Sequence, residues 1–296
     1  MKDRLPSYGG QALIEGVMMR GSKNVALAMR SPDGSIVIQT ESLGGIYKSW
    51  VARVPFVRGL ILLWDSLVLG MRMLTISANL QGEEDEKLEG PALYGTLAVS
   101  IIIAVALFML LPAAIGQLAE SWLGWNAWWS NLLEGLSRLA IVIGYIWAVG
   151  LVPDVRRVFA YHGAEHKTIN AFEAGEELTP EKVAAYSVEH PRCGTAFLLT
   201  LVLLSVILFA LLGPLPPAVR LGSRILLLPL LAGAAYEYIR LTARHLGSPL
   251  VKMLVKPNLA LQHLTTREPS LDMLEVSIAA FKAMYEKEND APVPVP

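Results

Sequence analysis

Long apolar runs, rather than short alternating ones, dominate the hydrophobic pattern of this chain. Four stretches approach the roughly 20 apolar residues that cross a bilayer core. They are residues 92–118, 132–152, 195–212 and 225–239, of which the last is the shortest. The pattern predicts a mainly α-helical membrane protein with about four transmembrane helices.

A fifth apolar stretch, residues 54–80, differs because it carries charged residues at seven-residue spacing. Arg58, Asp65 and Arg72 fall on one face of a helix at this spacing. We expect an amphipathic helix at the membrane interface, with that face toward water or protein. The alternative is a true span whose polar face lines a cavity. An acidic run at 82–86 follows and predicts a solvated linker.

The distribution of basic residues predicts the orientation of the spans. The segment 121–130 is rich in tryptophan and lacks lysine and arginine, which is typical of an external interfacial loop. Basic residues lie before the first span, between the second and third, and after the fourth. The positive-inside rule therefore predicts a multi-pass protein of the plasma (inner) membrane with both termini in the cytoplasm.

Short alternating patterns occur only near the N-terminus. Residues 25–29 and 36–40 flank a turn containing Pro32, Asp33 and Gly34, which predicts a β-hairpin. The glycine-punctuated stretch 9–21 predicts another strand or two beside it. Together they form a small cytoplasmic β element.

The C-terminal part predicts a further amphipathic helix, capped by Ser270. Its apolar residues recur at three and four positions: Leu271, Leu274, Ile278, Phe281 and Tyr285. The whole chain then divides into a β-hairpin element (1–50), an interfacial helix and linker (51–91), transmembrane helices 1 and 2 (92–152), a cytoplasmic loop (153–194), transmembrane helices 3 and 4 (195–240) and a cytoplasmic C-terminal segment (241–296).

Composition supports a membrane location and argues against nucleic-acid binding. The 296 residues are 53% hydrophobic and only 17% charged, and the mean hydropathy is +0.46, which is too apolar for an ordinary soluble domain. The formal net charge of -1 provides no basic field for nucleic acid. The lipid bilayer is the expected partner, while a homo-oligomer and a cytoplasmic protein partner remain open.

The candidate chemistry lies in the cytoplasmic loop. A helix predicted from Asp154 to about Ala174, stopped by Gly175, carries the H-x-x-E-H pattern as His162, Glu165 and His166. Histidines four apart face the same way and can share a cation, as in the inverted zinc-peptidase pattern. In that pattern the glutamate serves as general base.

Further ligands are expected from elsewhere in the chain. Glu237 is an acidic residue inside an apolar segment near its cytoplasmic end, where an unpaired carboxylate is costly. His190 and Cys193 precede the third span at a spacing that suits a chelate. Alternatively, the histidines are structural and Cys193 is a small buried hydrophobe. Glu237 would then pair with Arg240 or with an arginine of the Arg58/Arg72 stripe.

Three blocks of sequence resemble the YqhQ-type family of bacterial polytopic membrane proteins. These are residues 9–20 (GGQALIEGVMMR), 161–168 (YHGAEHKT) and 190–195 (HPRCGT). The resemblance extends over nearly the whole chain, including Tyr236, Glu237 and residues 264–269. It implies a membrane location and a metal-dependent enzyme, and it implies no substrate.

Two hypotheses for function follow. The first is a membrane metal-binding protein, with zinc as the expected divalent ion, that hydrolyses an amide or ester after Glu165 deprotonates the bound water. The second is a non-enzymatic scaffold or adaptor with structural histidines. A transporter is less favoured because the predicted spans are almost purely aliphatic apart from Arg138 and Glu237.

Overall fold

The computed structural model describes residues 8–44, 54–82, 90–212 and 215–294. Within these ranges the chain is mainly helical, with a small antiparallel sheet near the N-terminus. Most of the predicted acidic linker lies outside the described residues. The mainly helical class with a small β element is therefore confirmed.

The sheet is a four-stranded meander in the order β1-β2-β3-β4. Its strands are β1 (Gly9–Leu13), β2 (Gly16–Arg20), β3 (Asn24–Arg30) and β4 (Ile36–Ser42). The predicted hairpin is the β3–β4 pair, and its turn contains Gly34 at a φ of +87°, a left-handed conformation that favours glycine. The stretch 9–21 supplies the other two strands, as expected.

The helices follow in chain order. They are α1 (Val57–Gln81), α2 (Gly90–Val105), a π-helical segment (Ala106–Leu110), α3 (Leu111–Leu123), α4 (Ala127–Val149), α5 (Pro153–Ala174), α6 (Pro180–Val183), α7 (Thr195–Leu211), α8 (Pro217–Leu226), α9 (Leu228–Arg244), α10 (Pro249–Thr265) and α11 (Leu271–Asn289).

Helices cover both faces of the sheet. On one face, Val17 and Ala28 pack in a core with Tyr161 of α5 and Phe281 of α11. On the other, Leu27 and its neighbours pack with Leu69 and Met73 of α1. Because both faces are covered, the central strands are nearly continuous apolar runs. Helix α11 packs on the core, as its periodicity predicted.

Three helices in the described ranges are long and apolar enough to cross a membrane. They are Val57–Gln81, Leu93–Leu123 and Ala127–Val149, and the α8–α9 pair makes a fourth if its 41° bend lies within one span. The apolar helix α7 is shorter, with 17 residues. The predicted third span thus falls short of full length, and the predicted fourth begins earlier and is bent.

The charged stripe of α1 faces protein. Arg58 pairs with Glu237 of α9, Asp65 with Arg20 of β2, and Arg72 with Glu41 of β4. The last turns of α1 also pack on the sheet. Length and composition alone make α1 a candidate span, whereas these contacts join it to the β element along the face that the sequence marked as polar.

A buried cluster of charges corrects the expectation of almost purely aliphatic spans. Glu134 of α4 accepts hydrogen bonds from Arg138, Arg220 and Arg224, with N–O distances of 2.9 to 3.2 Å. Arg138 also donates to the carbonyl of Phe108 in the π-helical segment at 3.1 Å. The carboxylate of Glu134 can be buried because both of its oxygens accept hydrogen bonds from positively charged groups.

Candidate metal centre

Helix α5 presents the two histidines one turn apart. Pro153 occupies its first turn after Val152 at the N-cap, and Gly175 ends it at a φ of +78°. Asp154 is therefore not the cap as predicted; its carboxylate lies in the first turn, near the positive end of the helix dipole. The ring centroids of His162 and His166 lie 4.4 Å apart.

Cys193 joins these histidines from the segment that precedes α7. Its Sγ lies 3.2 Å from Nε2 of His162. One potential ligand atom from each of His162, His166 and Cys193 lies within 4.8 Å of the other two. His166 and Cys193 are buried, and His162 is partly buried. The fold thus brings together three of the five residues predicted as ligands.

Backbone carbonyls fix the orientation of both imidazole rings. Nδ1 of His162 lies 2.9 Å from the carbonyl oxygen of Thr265, and Nδ1 of His166 lies 2.5 Å from that of Val188. A carbonyl oxygen only accepts, so each Nδ1 carries a proton, and in a neutral imidazole this tautomer leaves the lone pair on Nε2. Nε2 of His166 is buried and has no hydrogen-bond partner among the residues that the structure describes. Histidines that bind metal have this arrangement.

Polar side chains of α5 hold the loop that supplies the second carbonyl. Nδ2 of Asn170 donates to the carbonyls of Ser187 and Glu189, each at 2.9 Å. Nζ of the buried Lys167 donates to those of Ala184 and Tyr186. The position of Val188 therefore follows from contacts within the protein itself.

Gln262 of α10 holds the next part of the loop. Its amide accepts from the backbone N–H of His190 and donates to the carbonyl of the same residue, both at 2.9 Å. Because Cys193 follows three residues later, this pair of hydrogen bonds also fixes where the thiol lies. Neither Gln262 nor Asn170 was singled out in the sequence, although residues 264–269, just after Gln262, belong to the resemblance.

Gly163 permits the close approach of the other carbonyl segment. A Cβ at this position would lie 2.1 Å from the carbonyl oxygen of Arg267. The backbone N–H of Arg267 donates to the carbonyl of Phe159 at 2.9 Å. The chain after α10 therefore runs directly against α5, which places Thr265 beside His162.

Glu165 is buried between α5 and the sheet. It accepts a hydrogen bond from the backbone N–H of Gly10, and its Oε2 finds no hydrogen-bond partner within the described ranges. Burial raises the pKa of Glu165 to about 7, against the opposing effects of His162 and Gly10. A Cβ on Gly10 would lie 3.0 Å from Cδ of Glu165 and 2.3 Å from the carbonyl of Met18. Glycine at position 10 thus makes room for this carboxyl.

His190 lies beside the three-residue group and is not part of it. Its ring centroid is 5.6 Å from that of His166, and it is buried. Burial, with a smaller contribution from the Arg192 charge, lowers the pKa of His190 to about 3, so the ring is neutral. Arg192 itself pairs with Glu173 of α5.

Glu237 is also outside the group. Its carboxylate forms a salt bridge with Arg58 and accepts the backbone N–H of Phe56 at 3.3 Å. Glu237 therefore forms an ion pair with an arginine, as in the alternative interpretation of this residue. The third ligand atom near the histidines is the thiol of Cys193 instead.

Comparison with known proteins identifies the family. Residues 54–287 match the family described as a protein of unknown function (DUF1385). The chain belongs to the DUF1385 family. It is also similar to the "Uncharacterized protein YqhQ" of Bacillus subtilis (strain 168), with 33% identity over 96% of this chain and 93% of the relative.

The DUF1385 match includes the metal-centre residues and leaves the sheet outside its range. The resemblance to YqhQ-type proteins is confirmed by both comparisons. No solved structure matches the chain. The chemistry of the site is therefore argued from its own geometry.

Proposed function

We propose that this protein is an integral membrane metal protein whose ligands are His162, His166 and Cys193. The observation that carries the proposal is the convergence of two oriented imidazoles and a thiol within 4.8 Å. Both imidazoles have their Nδ1 anchored on carbonyls, and Nε2 of His162 contacts Sγ of Cys193. A buried Nε2 lone pair is costly unless a hydrogen-bond donor or a cation binds to it.

Zinc suits this set of ligands best. Imidazole and thiolate are its common ligands, with bonds of about 2.1 Å to nitrogen and about 2.3 Å to sulfur. Tetrahedral binding would hold the two ligand atoms roughly 3.6 Å apart, close to the 3.2 Å between Nε2 of His162 and Sγ of Cys193. A small outward movement of either side chain would accommodate the ion.

Three protein ligands leave one tetrahedral position for a small molecule, which is the arrangement of catalytic zinc sites. A zinc ion bound there would supply Lewis-acid polarisation of a carbonyl and would lower the pKa of its water ligand. Glu165 adjoins His166 in sequence and holds a carboxyl with a raised pKa. We assign it the transfer of a proton in the hydrolysis of an ester or amide.

The proposed location is the cytoplasmic face of the plasma membrane. Helix α5 is preceded by the candidate span Ala127–Val149 and Cys193 is followed by the apolar helix α7. The basic residues around the intervening segment favour the cytoplasmic side under the positive-inside rule. The metal centre would then lie at the inner interface, between the sheet and the apolar helices.

Metal analysis of purified protein tests the proposal. Wild type should contain about one zinc per chain by elemental mass spectrometry, and the double variant His162→Ala/His166→Ala should contain none. His245→Ala is the matched control, because His245 is exposed and bonds only to its own helix. Zinc absent from wild type after purification without chelator, and not taken up on addition, would refute the metal centre.

A second function is favoured by one specific contact. Nε2 of His162, with its Nδ1 anchored, lies 3.2 Å from Sγ of Cys193, which is also the geometry of a histidine-activated nucleophilic thiol. Alkylation of Cys193 in metal-free protein distinguishes the nucleophilic thiol from the metal ligand. A thiolate persisting below neutral pH favours the nucleophile, whereas protection of Cys193 by added zinc favours the metal centre. The nucleophile alone leaves the unpaired Nε2 of His166 unexplained.

A further inference from the structure

A cavity of about 330 Å³ lies between α4, α7 and the π-helical segment. This volume is at the lower end of the range of ligand pockets. Its walls are almost entirely apolar, with side chains such as Val142, Leu201 and Val202. Its polar lining residues are Arg138, Ser205 and Tyr145. An elongated apolar ligand suits such walls.

The length of the cavity matches one acyl chain. Its lining residues on α7 run from Leu198 to Phe209, which is about 16 Å at the helical rise of 1.5 Å per residue. Half of a bilayer's hydrocarbon core is about 15 Å thick. The cavity therefore has the length of a lipid tail in one leaflet.

One end of the cavity lies close to the candidate metal centre. Leu198 follows Cys193 by five residues, about 8 Å along the chain at a helical rise. Ile146 lines the cavity and also packs with Leu264, the residue before Thr265, whose carbonyl orients His162. Apolar side chains are thus continuous from the cavity to the centre.

The other end is bounded by polar groups. The guanidinium of Arg138 is held there by Ser205 at 3.3 Å and by Glu134 at 3.0 Å. An apolar chain that extends into the cavity from the metal centre would stop at this fixed charge, because separating the arginine from its partners would leave it unpaired. The position of Arg138 therefore limits the length of the apolar ligand that the cavity can hold.

The cavity is open toward the surroundings of the apolar helices. Leu198 and Tyr145, which line it, are 46% and 47% exposed. Around helices of this length and composition the surroundings are bilayer hydrocarbon under the proposed membrane location. A ligand would enter sideways from the lipid phase.

We propose that this cavity holds one acyl chain of a cytoplasmic-leaflet lipid whose ester or amide carbonyl lies at the metal centre. This inference rests on the proposed function and names its substrate class. Water adds to the acyl carbon, the bond from that carbon to the headgroup oxygen or nitrogen breaks, and the leaving atom takes the proton. The products are a free fatty acid and the deacylated headgroup compound.

Photolabelling tests occupancy of the cavity directly. Purified full-length protein is irradiated with palmitic acid that carries a diazirine near its methyl end, and the labelled residues are mapped by mass spectrometry. We expect labels near Ser205, Phe209 and Phe108, at the far end. Labels confined to exposed positions such as Ile207, or spread evenly over the apolar helices, would overturn the proposal.

A pair of adjacent substitutions controls for general effects on the helix. Val142→Trp fills the cavity, whereas Ile143→Trp adds the same ring type at an exposed position of α4. Val142→Trp should reduce the labelling at least tenfold, and Ile143→Trp should leave it near wild type. Equal labelling of both variants would contradict the cavity as the site. If Val142→Trp does not fold, the wild-type label positions decide.

Two substrates separate this inference from the proposed function. In zinc-loaded protein, Val142→Trp should lose hydrolysis of a dipalmitoyl phospholipid at least tenfold and keep that of a short acetyl ester. Loss of neither activity overturns the acyl-chain cavity and leaves the metal enzyme. Cavity labelling in a protein that binds no zinc overturns the metal centre and the hydrolysis.

Discussion

Replacement of Gly163 by alanine is expected to damage the candidate metal centre without changing any of its proposed ligands. The new Cβ would lie 2.1 Å from the carbonyl oxygen of Arg267, whereas ordinary van der Waals contact begins at 3.4 Å. The backbone after α10 would therefore have to retreat by about 1.3 Å. That movement strains the 2.9 Å contact between the carbonyl of Thr265 and Nδ1 of His162.

The expected effect of Gly163→Ala has two parts, a loss of stability and a loss of metal affinity. Overpacking in a close-packed region costs about 1–3 kcal/mol of unfolding free energy. Loss of a partner that orients a ligating histidine lowers metal affinity about 10–100-fold. We therefore expect Gly163→Ala to bind zinc at least tenfold more weakly, measured by competition with a chelating dye, and to unfold at lower denaturant concentration.

Gly144→Ala is the matched control for the Gly163 substitution. Gly144 lies within α4, and a Cβ there would meet nothing within 4 Å. Alanine in a helix interior is favoured over glycine by about 1 kcal/mol, so this variant should be as stable as wild type or more so, with unchanged zinc affinity. Wild-type zinc affinity and stability in Gly163→Ala would refute the assignment of Thr265 as the group that orients His162.

Three further substitutions probe other buried groups. Because the folded-state pKa of Glu165 is raised from 4.5 to about 7, metal-free wild type should lose on the order of 3 kcal/mol relative to Glu165→Gln as pH rises across this interval. The lowered pKa of His190 contributes the same opposite slope to both proteins, so parallel curves would contradict the raised pKa of Glu165. Gln262→Ala leaves the buried backbone N–H and C=O of His190 unpaired, so denaturant titration should show a free energy of unfolding lower by about 2–4 kcal/mol. A decrease of less than about 0.5 kcal/mol would contradict the burial of these two groups. Glu134→Ala removes the carboxylate that three buried arginines share and should cost about 3–5 kcal/mol. Removal of Glu120, a partly exposed carboxylate that also pairs with Arg220, should cost less; equal losses would contradict the buried charge cluster.

The sheet was predictable to the extent that local patterns determine it. The turn at 30–35 and the alternation on either side gave the β3–β4 hairpin, and the glycines of 9–21 gave the strands beside it. The packing of α1 and α5 on opposite faces was not predictable, because it depends on contacts between segments that are distant in the sequence. The charged stripe on α1 was a partial signal, since all three of its residues find partners.

The candidate site was predictable only where its chemistry resides in side chains. The H-x-x-E-H spacing identified the histidines, and the H-x-x-C spacing identified Cys193. The groups that orient the imidazoles are the backbone carbonyls of Val188 and Thr265. Every residue has a carbonyl, so no residue type marks these positions in the sequence.

The choice of Glu237 as a ligand shows a second limit of the same kind. An acidic residue in an apolar helix requires a positively charged partner, and both a metal ion and an arginine side chain meet this requirement. The sequence places Arg58 in the polar stripe of α1 and leaves open which helix it contacts. Packing of α1 against α9 brings the arginine to Glu237 and satisfies the carboxylate there.

The way the centre is assembled bears on whether a metal would be structural or catalytic. In small zinc domains the ion supplies the folding energy, and the ligands converge only when it binds. Here the loop before Cys193 is held on α5 by Asn170 and Lys167 and on α10 by Gln262. The ligands are thus placed by contacts that need no ion. An ion bound to such a preformed site adds stability only through its own affinity, and its coordination chemistry is free to serve a reaction.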